Sequence, residues 1–286
     1  MRKQNLTEKS MHTLFLLCGL VSVAFLVVIT AFLAVSGFPA IGKIGIKDFL
    51  FGTVWQPTAK TPLYGILPFI LSSVFGTLGA IVIGVPIGLL CAIYISKFAG
   101  KRVSKILTSA VELLSGIPSV VYGLAGMIII VPFVRKAFNL PDGATLFSAI
   151  IVLAIMILPS VISVSQTAIK AVPKEYEEGS LALGATKTET VFKVTVPAAK
   201  SGIFTSVVLG IGRAIGEAMA VMMVSGNASN MPKLFGSVRF LTTAVASEMS
   251  YSSGLQREAL FSIALILFIF ILIINLILNI AGRKNR

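Results

Sequence analysis

Six stretches of the chain are long and apolar enough to cross a lipid bilayer, and no other feature so narrows what it can fold into. They cover residues 13–36, 66–96, 109–134, 145–169, 201–225 and 259–281. A hydrocarbon core about 30 Å thick takes about 20 mainly apolar residues in a helix. Inside it every backbone N–H and C=O must find a partner within the protein, which favours helices for runs of this length. The chain is 56% hydrophobic and only 12% charged, with mean hydropathy +0.96, a composition foreign to soluble domains. The expected fold is an all-α integral membrane protein with six transmembrane helices. The first run could pass for a secretory signal, because Ala34-Val35-Ser36 looks like a small-residue cleavage site. It is too long for a signal core of roughly 7–15 residues, so an uncleaved span is expected.

Net charge is +13, which in a soluble chain would suggest nucleic acid. Here the cations sit between the apolar runs and report topology, so no nucleic-acid partner is expected; the lipid bilayer is the partner the composition demands. With the N-terminus inside, one side holds Arg2, Lys3, Lys9, Lys97, Lys101, Arg102, Lys105, Lys170, Lys174, Lys187, Lys193, Lys200, Arg283, Lys284 and Arg286. The other holds Lys43, Lys47, Lys60, Arg135, Lys136, Lys233, Arg239 and Arg257. The excess places both termini in the cytoplasm of a cell-membrane protein. Cys18 and Cys91 lie in apolar runs without metal or disulfide spacing, and His12 is the single histidine. Neither a metal site nor a catalytic constellation is expected, and no cofactor is implied.

The spans carry irregularities that simple anchors lack. Gly76, Gly79, Gly84 and Gly88 give the second a small-residue face suited to close helix approach. Pro86, Gly116, Pro118 and Pro159 weaken helical hydrogen bonding, which at membrane depth is tolerated where protein or an internal path covers the backbone. In 207–224, VVLGIGRAIGEAMAVMMV, an otherwise apolar helix carries Arg213 and Glu217 at i, i+4, with Gly212 and Gly216 beside them. A charge at the bilayer centre costs at least about 2.5–3.5 kcal/mol, so such residues face a bundle interior or a hydrated path. The base-before-acid order is the poorer one for helix stability. Two readings remain: a packing salt bridge, or a station for an anion that the arginine fork grips two oxygens at a time.

Segment 170–200, KAVPKEYEEGSLALGATKTETVFKVTVPAAK, is the most charged of the chain. Pro173 suits a helix start, Glu175, Glu177 and Glu178 suit that end of a helix dipole, and Gly184 suits a stop. A short helix, a glycine turn and a second short helix ending before Pro197 are expected. Glu178 to Pro197 resembles the cytoplasmic loop of ABC-importer permeases: Glu178 and Gly184 match, Val194 stands for isoleucine, Val196 for leucine, and Pro197 matches. Gly179 and Ser180 replace the usual two alanines. The resemblance implies a type I ABC-importer permease fold, with this loop as the coupling helix docking into an ATP-hydrolysing subunit through Glu178, Gly184, Val194 and Pro197. The sequence has no Gly-x-x-x-x-Gly-Lys-Ser/Thr phosphate loop of its own, so ATP is expected to be hydrolysed by partner chains.

FLFGTVWQPT (49–58), SGIPSVVYGL (115–124) and GIGRAIGEAMAV (210–221) together resemble the permeases of bacterial phosphate-specific ABC importers, and the outer loop with Trp55 and Pro57 resembles their C-type member. This implies inorganic phosphate as cargo, a homologous second permease in a heterodimer, two copies of an ATP-binding subunit and an extracytoplasmic phosphate-binding protein. Arg213 and Glu217 then lie on the substrate pathway. The division expected is a first helix and outer loop (1–65), a five-helix permease core (66–282) and a basic tail (283–286). Another oxyanion, sulfate, molybdate or tungstate, is the alternative cargo. An intramembrane enzyme would need a histidine or paired carboxylates within the spans, and a passive channel would have no use for the docking loop. Glu112 is expected to pair with Lys105 or Arg102. The outer residues Arg239, Arg257 and Glu248 are either solvated or face a binding protein.

Overall fold

The computed structural model describes residues 2–284, with the side-chain surroundings of 8–277 and 280. Arg2, Lys3, Arg283, Lys284 and Arg286, part of the topology reading, lie outside the residues whose side chains are described. The chain begins with helix α1 (Arg2–Ile44), turns at Gly45 (φ +92°) into α2 (Ile46–Phe51), and forms a small antiparallel hairpin, β1 (Trp55–Gln56) against β2 (Leu63–Tyr64), Trp55 opposite Tyr64. Helix α3 (Leu67–Ile93) ends in a π turn, Tyr94–Phe98. Then come α4 (Lys101–Ser115), α5 (Ser119–Ala125), a second π turn (Gly126–Ile130), α6 (Val131–Ala137) and α7 (Leu146–Lys170). The charged segment forms α8 (Lys174–Ala182), α9 (Lys187–Thr190), a third π turn (Val191–Thr195) and α10 (Val196–Ala198). Last are α11 (Lys200–Gly216), α12 (Met219–Val224), α13 (Leu241–Glu248) and α14 (Gly254–Lys284).

Among the described residues five helical runs are long and apolar enough to span a bilayer: Glu8–Ile44, Leu67–Phe98, Ser119–Ala137, Leu146–Lys170 and Gly254–Ile277. A sixth is reached when Lys187–Ala198 and Lys200–Gly216, bent by 70°, count as one. Two expected spans are corrected. The third starts at Ser119, because Pro118 has no N–H to donate and pushes Ile117 off helical geometry; residues 101–115 form the separate α4. The fifth does not run unbroken to 225 but stops at Gly216, where Glu217 is extended (φ −74°, ψ 125°). By contrast Pro86 and Pro159 sit inside continuous helices.

The glycine face of α3 packs as its spacing predicts. A Cβ built on Gly79 would lie 2.6 Å from Ile150, one on Gly84 2.8 Å from Ile157 and one on Gly88 2.8 Å from Val161, all on α7, while the Phe240 ring fills the place beside Gly76. Helix α7 is the centre of the bundle, with Val152, Leu153, Met156 and Ile157 fully buried. Its other side carries α11, where Ser165 and Ser206 share a hydroxyl hydrogen bond (2.8 Å). Helix α1 packs chiefly on α14. Phe32 meets Phe261 edge-on (5.4 Å), the Ser262 hydroxyl donates to the Gly37 carbonyl (2.5 Å), and Lys43 pairs with Glu258 (2.7 Å).

Candidate functional site

Arg213 is half-buried near the end of α11, and one Nη1–H donates to the Ser160 hydroxyl of α7 (3.3 Å), the residue after Pro159. It does not pair with Glu217. The helix has already ended at Glu217, so the expected i, i+4 alignment is absent, and among the described residues no carboxylate pairs with Arg213. Glu217 works locally instead: its Oε1 accepts the Ala220 N–H (3.0 Å) and caps α12. A carboxylate there satisfies an orphan donor and suits the positive end of that helix. Its backbone carbonyl accepts from the Thr242 hydroxyl (2.8 Å). Beside Arg213, Gly212 and Gly216 face open space: a Cβ at either would meet nothing within 4 Å. A guanidinium with one of five donors used, at a broken helix, next to a glycine-lined opening, can take an oxyanion.

The charged segment folds into a compact element of short helices about a glycine turn. Pro173 precedes α8, and Gly184 stands at φ +89°, where a side chain is strained and glycine is at ease. The second helical arm does not end before Pro197; it continues through that residue to Ala198, since a proline in the first turn of α10 loses a donor that has no helical partner anyway. Thr186 and Glu189 form a capping box, each side chain receiving the other's backbone N–H (3.3 and 3.0 Å). The Thr186 N–H and the Thr186 hydroxyl both donate to the Glu189 carboxylate (3.0 Å each) and, helped by Lys193 (3.2 Å), hold that carboxyl at about 2, below its ordinary 4.5. Thr-x-x-Glu before an apolar run is a recognised helix-start pattern, so this signal was in the sequence although the reading above passed over it.

Glu178, Gly184 and Pro197 are exposed and Val194 is half-buried. Gly184 and Val194 line an open groove of roughly 650 Å³ with Tyr176, Leu183 and Glu189. Leu183 is 91% exposed, a leucine that none of the described residues covers. The element is tied to α3 at two points: Lys97 pairs with Glu177, which also accepts from the Thr195 hydroxyl (3.2 Å), and the Lys187 ammonium sits 5.5 Å from the Phe98 ring centroid.

Glu112 has no ion pair among the described residues, contrary to the pairing with Lys105 or Arg102 expected for it. Arg239 and Glu248 are not solvated; they pair with each other, largely buried. No three His, Cys, Asp or Glu among the described residues are placed to hold a metal ion.

The sequence pattern of the family described as "Binding-protein-dependent transport system inner membrane component" matches residues 84–286. The chain is 40% identical over 267 residues to the probable ABC transporter permease protein YqgH of Bacillus subtilis, covering 90% of this chain and 86% of that one. It is 34% identical to the phosphate transport system permease protein PstC of Haemophilus influenzae, covering 83% and 81%. Among solved structures, the MetNI methionine ABC transporter in inward-facing conformations aligns with TM-score 0.58 at 19% identity, over 78% of this chain and 94% of that one. A bacterial alginate ABC transporter complexed with a pentasaccharide-bound periplasmic protein aligns with TM-score 0.56 at 17% identity, over 93% and 94%. These likenesses show the fold, that of ABC-importer permeases of type I.

Proposed function

Because the chain belongs to the family of binding-protein-dependent transport system inner membrane components, we propose that it is the permease subunit of an ATP-driven importer of inorganic phosphate, with Arg213 as the anion's station. The observation that carries this is the unpaired, half-buried guanidinium held by Ser160 at the break in α11. The likeness to phosphate permeases over more than four-fifths of the chain supports the cargo. A phosphate oxygen pair fits the arginine fork, and the Ser160 hydroxyl presets one arm of it. Since only one protein donor bond must rearrange, the anion is gripped without being trapped, as a transport path requires.

Glu217 shapes the path by capping α12 and so fixing where α11 stops. The docking element, with Glu178, Gly184, Val194 and Pro197, seats on an ATP-binding subunit. An exposed Leu183 at the tip and a preset turn at Gly184 support that role. A second homologous permease, two copies of the ATP-binding subunit and an extracytoplasmic phosphate-binding protein complete the assembly, with residues 66–282 as the core and both termini cytoplasmic.

Phosphate uptake by Arg213→Met tests the station. Uptake should be lost while membrane abundance and binding of the ATP-binding subunit stay near normal. Glu217→Gln should transport, because its amide oxygen still accepts the Ala220 N–H. Adding Glu217→Leu to Arg213→Met should not restore uptake. Near-normal uptake by Arg213→Met would remove the station, and equal inhibition by sulfate or molybdate would widen the cargo to oxyanions generally.

A further inference from the structure

Helix α13 has its two ends tied to different parts of the molecule. At its start the Thr242 hydroxyl donates to the Glu217 carbonyl (2.8 Å), at the point where α11 breaks off. The Leu241 N–H donates to the Ser73 hydroxyl of α3 (3.0 Å), and the Thr243 hydroxyl accepts the Phe240 N–H (2.9 Å), closing the first turn. At its end the Glu248 carboxylate accepts three donors from three separate segments: Arg239, the indole N–H of Trp55 (3.2 Å) and the amide of Gln256 on α14 (3.0 Å). Arg239 also donates Nε–H to the Asn227 carbonyl (3.0 Å) and lies over the Phe69 ring (5.8 Å). The Arg239 and Glu248 side chains keep only 16% and 12% of their exposure. An anion so enclosed is held by all its donors together, and losing one disturbs the rest.

Trp55 is the buried root of the hairpin, packed edge-on against Tyr64 (5.6 Å) and tilted on Phe69 (5.6 Å). The hairpin's turn is the opposite case, with Thr58, Lys60, Thr61 and Pro62 all exposed. The turn is joined through β1 to a residue bonded to Glu248. Between Glu248 and Thr242 runs about 9 Å of stiff helix, and beyond Thr242 lies the extended backbone next to Arg213.

We propose that α13 is a strut joining the hairpin to the break in α11, with Glu248 and Thr242 as its joints, so that a displacement of the hairpin shifts the backbone at Glu217. The two are positioning residues, acting through the break and not on cargo. The inference rests on the reading of the break as part of the transport path, but its test does not depend on which anion is carried.

In a background with Cys18→Ser and Cys91→Ser, Gly216→Cys reports the break through its rate of reaction with N-ethylmaleimide, measured in native membranes with the partner subunits present. Thr242→Val and Glu248→Gln should each change that rate by about 2- to 30-fold, and the double variant by no more than the larger single effect, because both cut one strut. Thr242→Ser, which keeps the hydroxyl, should react like the parent. Trp55→Phe keeps the ring but removes a donor, and should shift the rate in the same direction as Glu248→Gln, by less; it reads the outer joint if Glu248→Gln fails to accumulate. An unchanged rate in Thr242→Val, an unchanged rate in both outer-joint variants, or effects that multiply in the double variant would overturn the strut. Loss of phosphate uptake in Arg213→Met alongside unchanged labelling would leave the station standing and the strut refuted.

Discussion

On α3 the glycines at 76, 79, 84 and 88 have neighbours where their side chains would be, whereas at Gly212 and Gly216 on α11 there is nothing within 4 Å. Helix α11 shows both kinds within itself, since a Cβ on Gly210 would already touch Val161 at 3.3 Å. The same residue thus does two physical jobs. Where Ile150, Ile157 and Val161 fill the gap, glycine lets two helices approach, and the seam is complete within one chain. Where the space is open, glycine buys no packing at all. The open pair flanks Arg213, so the unfinished surface and the unpaired intramembrane cation coincide.

The strongest way to break this comparison is Gly84→Leu. Its first carbon alone would fall 2.8 Å from Ile157 and 3.0 Å from the Ala154 carbonyl, and overpacking of this kind costs typically 1–3 kcal/mol or more. Little folded protein should accumulate in membranes, and adding Ile157→Ala should recover part of it; normal abundance of the single variant would show the seam to be soft. Gly184→Val comes next. It forces a β-branched residue to φ +89°, at about 1–2 kcal/mol, confined to the turn after α8. Insertion should be normal, while ATP hydrolysis and uptake part company in reconstituted vesicles.

Gly212→Ala sharpens the contrast because its effects should have opposite signs. In open space within a helix the added methyl should stabilise by roughly 0.5–1 kcal/mol, read as a raised unfolding midpoint in detergent. Uptake should fall if the opening serves the anion. An unfolding midpoint lowered as far as that of Gly84→Leu would mean the α11 face is packed after all.

The smallest effect concerns acid. The Glu189 carboxyl titrates at about 2 when folded and at 4.5 when not, so the capping box contributes its full support above 4.5 and loses it as pH falls toward 2. Hydrogen exchange in 186–195 should therefore be flat at neutral pH and speed up, relative to Glu189→Gln, only in that acid window.

Much of this was legible in the sequence. The spans declare themselves because burying backbone in lipid demands long apolar runs, and the α3 seam follows from glycine spacing alone. The turn at Gly184 was readable because only a few residues tolerate its geometry. The break at Glu217 was not, for the apolar run of 207–224 continues across it, and Gly210, Gly212 and Gly216 read equally well as a small-residue helix face. What stops the helix is tertiary: Thr242, far along the chain, donates to the Glu217 carbonyl, and the Glu217 carboxylate turns to Ala220. For the same reason the Arg213–Glu217 pair suggested by spacing does not form, and Ser160 takes its place. Glu248 was visible as a charge but not as a junction, since its three donors come from three separate segments.

The contact between α1 and α14 has a consequence for how the protein is made. Helix α1 has as its chief neighbour a helix made more than 200 residues later, α14, through Gly37, Phe32 and Lys43. Until residues 254–277 are synthesised, α1 has only lipid to lie against along most of its length. Its long apolar surface lets it wait there, and the Gly37 carbonyl stays without the Ser262 hydroxyl until translation has passed residue 262. Ribosome-stalled chains ending before 254 should therefore expose α1 to crosslinking from the lipid phase, making this seam a late step of assembly and not its nucleus.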